Sequence, residues 1–384
     1  MTDFLSDHLD AVIAEGFVSA DCHAFEPRDL FRTRMQKKFR DRAPGMISRS
    51  DSDYYVCDGL PDQPIGIEAS GLDVKINDRI RHAVGYRWED MRPGSHDMAA
   101  RKEDLKLDNL VGELLYPSSL AINFHCLNDA EYASDACRVY NDWLAEFVRD
   151  SDGVSKGAAV IPVKCDVQAS IAEALRASEN GHAILCLPID PHVPYSDPRW
   201  SPLWDAISEL ELPISLHAGT SSAKSSTELL AGFGAAFGRG LTWCRMASGV
   251  MTTADILWGG LADKWPKLRW VLAETGFGWI PGLIEFMDSF WEDNKLWIEP
   301  KIEMKPSEQF RHAWFATFEE ESTSMALRHE IGVDRLMWGS DYPHTEGTFP
   351  NSRETVRRIF AGVPADEVKK MVSTNAASLF GFDA

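Results

Sequence analysis

Eight short apolar runs, several of them closing on a polar or charged residue, recur along the chain with amphipathic stretches of helical length between them. The runs are Phe17 to Asp21, Gly112 to Tyr116, Ala158 to Val163, Ala183 to Pro188, Ile214 to His217, Trp270 to Glu274, Trp314 to Phe318 and Leu336 to Asp341. Short, almost uninterrupted apolar runs are what parallel strands buried on both faces look like, and helices must connect them. The intervening stretches fit: Met98 to Leu107, Ala130 to Arg149, Val167 to Asn180, Pro202 to Glu211, Thr252 to Lys264, Ile280 to Trp297 and Ser322 to Ile331. Eight such units predict an α/β fold, a closed (β/α)8 TIM barrel from about residue 15 to 380 within one domain, 1–384. An open doubly wound sheet is the alternative. Its nucleotide-binding form needs a glycine-rich first turn, and here the first strand runs instead into Asp21-Cys22-His23.

Residues 27 to 95 break the rhythm, being rich in Arg, Asp, Pro and Gly, with one strand-like piece at Tyr54 to Cys57. A long connection leaving the first strand is expected to fold over the barrel mouth as a lid or to form an interface. Charge narrows the partners. The 384 residues carry 39 Lys+Arg against 59 Asp+Glu, a formal net charge of -20, which repels a phosphate backbone and argues against nucleic acid. No apolar run reaches the roughly 18–20 residues that span a bilayer, and Met1 to Gly16 lacks the basic-then-apolar order of a signal peptide. The expectation is a cytoplasmic enzyme with a small-molecule substrate and no membrane. Seven cysteines, Cys22, Cys57, Cys126, Cys137, Cys165, Cys186 and Cys244, never form CxxC, so they are read as buried thiols. Most of the 13 Trp and 19 Phe are expected in the core.

The chemistry lies where the strands stop. The first ends Asp21-Cys22-His23-Ala24-Phe25-Glu26, the fifth at His217, the sixth at Glu274 and the eighth at Asp341-Tyr342-Pro343-His344. All of these are C-terminal strand ends, the face on which barrel enzymes build their sites. Residues two apart in a strand share a side, so Asp21 and His23 point into the mouth together, with His217 and Asp341 arriving from other strands. Carboxylates and imidazoles buried together need a cation or a proton, and a metal is the predicted occupant. For Glu26, Glu274 and His344 the alternatives stay open: a loop anchor, a partner for an arginine, and a residue standing behind the ligands.

At these residues the sequence resembles the amidohydrolase superfamily, in its amidohydrolase-2 or aminocarboxymuconate-semialdehyde-decarboxylase-like branch. ADCHAFEP, YNDWLAEF, LHAGT, ETGFGWIPGLIEFMD, GSDYPHTEGTFPNS and NAASLFG follow that branch's landmarks in order along nearly the whole chain. The resemblance implies the barrel fold, and one divalent metal at Asp21, His23, His217 and Asp341. It also exposes a departure: many members carry a catalytic histidine at the end of the sixth strand, where this chain has Glu274. With Glu274 as a bridge and Glu26 and His344 as further ligands, the set is rich enough in carboxylates for two ions, Fe/Fe or Mn/Fe. That variant is similar to the branch's dinuclear oxygenases, such as 2-aminoisobutyrate hydroxylase. The resulting expectation is a monooxygenase, an oxidoreductase in which Glu274 and His344 are catalytic and an aliphatic C–H bond of a small carboxylate or amino acid is hydroxylated. A separate reductase, an oligomeric state and a paralogous amidohydrolase-like subunit follow from the same likeness. A single Zn or Mn serving a hydrolase or a non-oxidative decarboxylase is the other reading. His125, or Arg245 with Trp243 and Trp279, are further pocket candidates; His182, His312 and His329 are read as structural.

Overall fold

The computed structural model describes residues 2–67, 84–224, 228, 239–240, 242–344 and 347–382. Eight parallel strands form the barrel: β1 Phe17–His23, β5 Leu110–Tyr116, β6 Ser155–Val160, β7 Ile184–Asp190, β8 Ile214–Ser221, β9 Trp270–Ala273, β10 Trp314–Phe318 and β11 Leu336–Trp338, neighbouring one another in that order. A small antiparallel sheet, β2 Gly45–Ser48, β3 Asp53–Val56 and β4 Gln63–Pro64, lies in the connection after β1. The fold is the (β/α)8 TIM barrel that the apolar runs predict.

The sequence sets the connections locally. Asp97, Asp129 and Asp166 each accept a backbone N–H of the helix they precede, starting Met98–Asp108, Ala130–Arg149 and Val167–Glu179. Gly332, at φ +111°, stops the helix ahead of β11, where a side chain would be strained. Trp204, on the helix Ser201–Leu210, meets Trp270 at the start of β9 edge-on with ring centroids 5.4 Å apart, and Trp270 stacks on Trp314 at the start of β10 at 5.7 Å. All three rings are fully buried, so these aromatics are core.

Parallel register keeps the strand ends level: His23 pairs with Tyr116, His217 with Ala273, and Phe318 with Trp338. The barrel closes between its first and last strands. Asp341 N donates to Asp21 O at 2.8 Å and His23 N to Tyr342 O at 2.7 Å. Gly339 permits that approach, because a Cβ there would sit 2.6 Å from Asp21 Cβ.

In the connection after β1, Leu30–Arg34 and Lys37–Arg42 rest on the helix Ala130–Arg149 and the turn before it, through Phe31 against Phe124 and Phe39 against Tyr132. The lid expected over 27–95 falls partly on 68–83, outside the described residues. Among the described residues no helix is long and apolar enough to cross a membrane.

Candidate metal centre

Asp21 and His23 lie two apart at the end of β1, and the strand carries both side chains into the mouth. His217 comes from β8. Asp341 follows β11 with φ +56°, a left-handed conformation that turns its carboxylate inward, and Glu274, just past β9, has φ +60°. Two non-glycine residues held this way at strand ends mark the place where backbone strain has been accepted.

The separations are short. His217 Nε2 is 3.4 Å and His23 Nε2 3.6 Å from Asp21 Oδ1; His23 Nε2 is 3.3 Å from Asp341 Oδ1, and His344 Nδ1 is 3.3 Å from the same oxygen. All but His344, which is half-buried, are sealed from solvent. His344 stacks on His23, centroids 4.1 Å apart.

The two imidazoles are oriented from behind. His23 Nδ1 donates to Pro117 O at 2.9 Å and His217 Nδ1 to Ala218 O at 2.8 Å. A carbonyl has no proton to give, so the ring proton sits on Nδ1 in both, and each Nε2 lone pair faces carboxylate oxygens. Lone pairs and anions enclosed together repel unless a cation lies between them. Ligands about 2.1 Å from one ion stand roughly 3.0–3.5 Å apart, so Asp21, His23 and His217 fit a divalent metal in spacing and in donor chemistry, and His23, Asp341 and His344 form an adjoining grouping that shares His23. Without an ion the site shows the same demand. Burial opposes charge on His217, yet Asp21 pushes its imidazole up to about 9. Burial likewise opposes charge on Asp341, yet His344 and His23 hold that carboxyl well below the usual carboxylate range. Burial and the neighbouring His344 lower His23.

The remaining expected residues divide. Glu274 ion-pairs with Arg245, while its Oε2 lies 3.8 Å from His217 Nδ1. Its carboxyl is pushed up to about 7 by burial, against the pull of Arg245. Glu26 is buried, but among the described residues no grouping of ligand atoms includes it; burial raises it to about 7, opposed by the Ser118 hydroxyl. His125 is buried in the turn Ala121–Cys126 and pushed down to about 3 by burial, outside every grouping. Trp279 Nε1 donates to Thr275 O, and Trp243 is exposed. His182 and His312 bond backbone carbonyls, and His329 lies 3.6 Å from Glu367.

Sequence reasoning missed Glu319. It follows β10 directly and groups with Glu274 and Asp341, and burial, with Asp341 next, raises its carboxyl well above the ordinary value. The signal was there, since the seventh apolar run is followed directly by an acid, Glu319. Arg101 was missed as well. Fully buried, it grips Glu113 with two bonds of 2.6 and 2.7 Å and donates to His23 O at 2.9 Å, fixing the backbone beneath the cluster.

The amidohydrolase family pattern matches residues 112–382. Gamma-resorcylate decarboxylase of Rhodococcus jostii (strain RHA1) is 25% identical over 330 residues, covering 80% of this chain and 95% of that protein. Among solved structures, an amidohydrolase of Mycobacterium avium subsp. paratuberculosis K-10 aligns with a TM-score of 0.76 at 20% identity, over 95% of this chain and 99% of that one. A dihydroxybenzoic acid decarboxylase from Polaromonas sp. JS666, solved with manganese and the inhibitor 2-nitroresorcinol, gives 0.65 at 18% identity, over 95% and 97%.

These findings overturn the monooxygenase expectation. The matched relatives are decarboxylases, not oxygenases. A divalent metal is supported, whereas the Fe/Fe or Mn/Fe pair finds no support among the relatives, one of which was solved with manganese. Of the three side chains assigned to a second ion, Glu26 stands apart among the described residues, His344 groups with His23 and Asp341, and Glu274, paired with Arg245, groups with Glu319 and Asp341. What holds is the broader reading: with most of its length matched and the barrel in place, the chain belongs to the amidohydrolase family, in its amidohydrolase-2 branch.

Proposed function

We propose that this chain is a carboxy-lyase using a single divalent metal, manganese being the first candidate, to remove CO2 from a small aromatic carboxylate without oxygen. The observation that carries the reading is the pair of imidazoles, His23 and His217, whose Nε2 lone pairs are aimed by backbone carbonyls at the carboxylates of Asp21 and Asp341. The activity of the decarboxylase relative and the manganese of the solved decarboxylase support it. Asp21, His23, His217 and Asp341 would hold the ion, with His344 stacked against His23 at its edge.

Bound there, a divalent ion supplies Lewis acidity toward the oxygens of the substrate. The chain's own residues do the rest. Loss of CO2 breaks a carbon–carbon bond and leaves its electron pair on the ring carbon, which must then take a proton; no oxidant enters. Glu274, between His217 and Arg245 just past β9, is the carboxyl group positioned to deliver that proton.

The test is anaerobic incubation of the manganese-loaded protein with dihydroxybenzoates and hydroxylated methoxybenzoates in deuterated water. The expected result is one CO2 per product and one deuterium at the vacated ring position. Absence of CO2 release across the panel, or turnover that requires oxygen, refutes the reading.

A further inference from the structure

β10 reads Trp-Phe-Ala-Thr-Phe, and its single hydroxyl, on Thr317, is sealed inside the barrel. Alternation along the strand sends Phe318 outward, against Phe277 and Phe360, and Thr317 inward. A hydroxyl buried in an apolar strand is unfavourable unless it is hydrogen-bonded, and a valine of the same shape would avoid the difficulty. The partners of this hydroxyl therefore matter.

It joins two parts of the site. The β9–β10 ladder runs as far as the pair Leu272 and Ala316. Past that pair, Glu274 N donates to Thr317 Oγ1 at 2.9 Å, at the residue whose φ is +60°. Thr317 Oγ1 in turn donates its own proton to Asp21 Oδ2, 3.4 Å away. The other oxygen of that carboxylate, Oδ1, is the one that meets the imidazoles, 3.4 Å from His217 Nε2 and 3.6 Å from His23 Nε2. Asp21 thus offers one oxygen to the cluster while Thr317 holds the other.

We propose that Thr317 is a positioning residue of the metal centre, whose hydroxyl fixes which oxygen of Asp21 a cation receives and ties that carboxylate to the backbone of Glu274. At 3.4 Å the bond to Oδ2 is long, so its strength comes from the charge on the acceptor. Without the hydroxyl nothing distinguishes the two oxygens of Asp21, and the Glu274 N–H loses its acceptor. Groups that orient metal ligands from behind typically account for about tenfold to a hundredfold in metal affinity. This role rests on the metal centre proposed for the chain and requires no particular substrate.

Titration of the full chain with manganese against a fluorescent chelator tests it, with the electron paramagnetic resonance spectrum of the bound ion as a second readout. Thr317→Val should weaken manganese at least about tenfold and change the spectrum, whereas Thr317→Ser, which keeps the hydroxyl, should stay within about threefold of wild type. Thr317→Ala is the second hydroxyl-free variant should the valine variant misfold. In an Asp21→Ala background, Thr317→Val should cost less than about threefold more, because its partner is already gone; a merely structural role would leave the two losses additive. Well-folded valine or alanine variants that bind manganese like wild type, or losses that add, overturn the proposal. A wild-type chain that binds no manganese removes the metal centre itself, and Thr317's role with it.

Discussion

Replacing Arg101 by Met tests whether the buried ion pair under the site holds up both the fold and the cluster. Arg101 and Glu113 are both sealed from solvent and joined by two charge-assisted bonds; the guanidinium also serves His23 O at 2.9 Å and Gly94 O at 3.1 Å. In the variant Glu113 keeps only the Ser155 hydroxyl, at 2.7 Å. An unpaired buried carboxylate costs about 3–5 kcal/mol, and two orphaned carbonyls add roughly 1 kcal/mol each before relaxation. A loss of about 5–7 kcal/mol is therefore the ceiling expected, measured by urea unfolding with an unchanged slope. Adding Glu113→Met removes the stranded charge and should return stability to within about 2 kcal/mol of wild type. Manganese affinity should stay weakened in the double variant, because nothing then holds the His23 carbonyl. A single-variant loss under about 1 kcal/mol, or a double variant no more stable than the single, would refute the reasoning.

Asp21→Asn and His217→Ala should each lower bound manganese at least tenfold in elemental analysis after dialysis, whereas Glu26→Gln should leave it within twofold. Asn141 completes the sheet with its side chain, donating to Val160 O at 2.9 Å and accepting from Val160 N at 2.8 Å; Asn141→Leu should cost about 2–4 kcal/mol in the same unfolding assay. Asp108, raised by burial to about 6 although Ser352 donates to it twice, binds its proton more tightly folded than unfolded. Its contribution is whole below about pH 4 and lost as pH rises through about 6, so Asp108→Asn should gain roughly 2–3 kcal/mol on wild type between those values. Parallel pH-dependent melts of the two proteins check it, and parallel curves would exclude the assignment.

The strands were readable because a strand covered on both faces has no polar alternation to hide it. Ala130–Arg149 matched at both ends because Asp129 caps it in plain sight. β6 was placed three residues late: it begins at Ser155, a polar residue whose hydroxyl is spent on Glu113, a partner that only folding reveals. The last strand was read through Asp341 but ends at Trp338, because closure against β1 bends Gly339 to Asp341 out of the ladder. In the site, Asp21, His23, His217 and Asp341 announced themselves by position. Glu274 did not disclose its arginine, which arrives from a helix 29 residues earlier in the chain. Counting carboxylates without knowing that partner is what led from a metal cluster to the expectation of two ions and oxygen chemistry.

The seam of the barrel passes through the cluster itself. Ser340 N donates to Ser19 Oγ across 321 residues of sequence, and beside that bond Asp21 and Asp341, the flanking carboxylates, meet backbone to backbone. A cation held there would work as a clasp, tying the first strand to the last at the point where the chain has travelled furthest to find itself. Such contacts are the slowest to form, since the whole intervening loop must be ordered first. The donor set therefore comes into existence only when the ring is shut, so an ion can be captured by the finished barrel and by nothing before it, and its binding energy falls on the one joint that covalent connectivity leaves open.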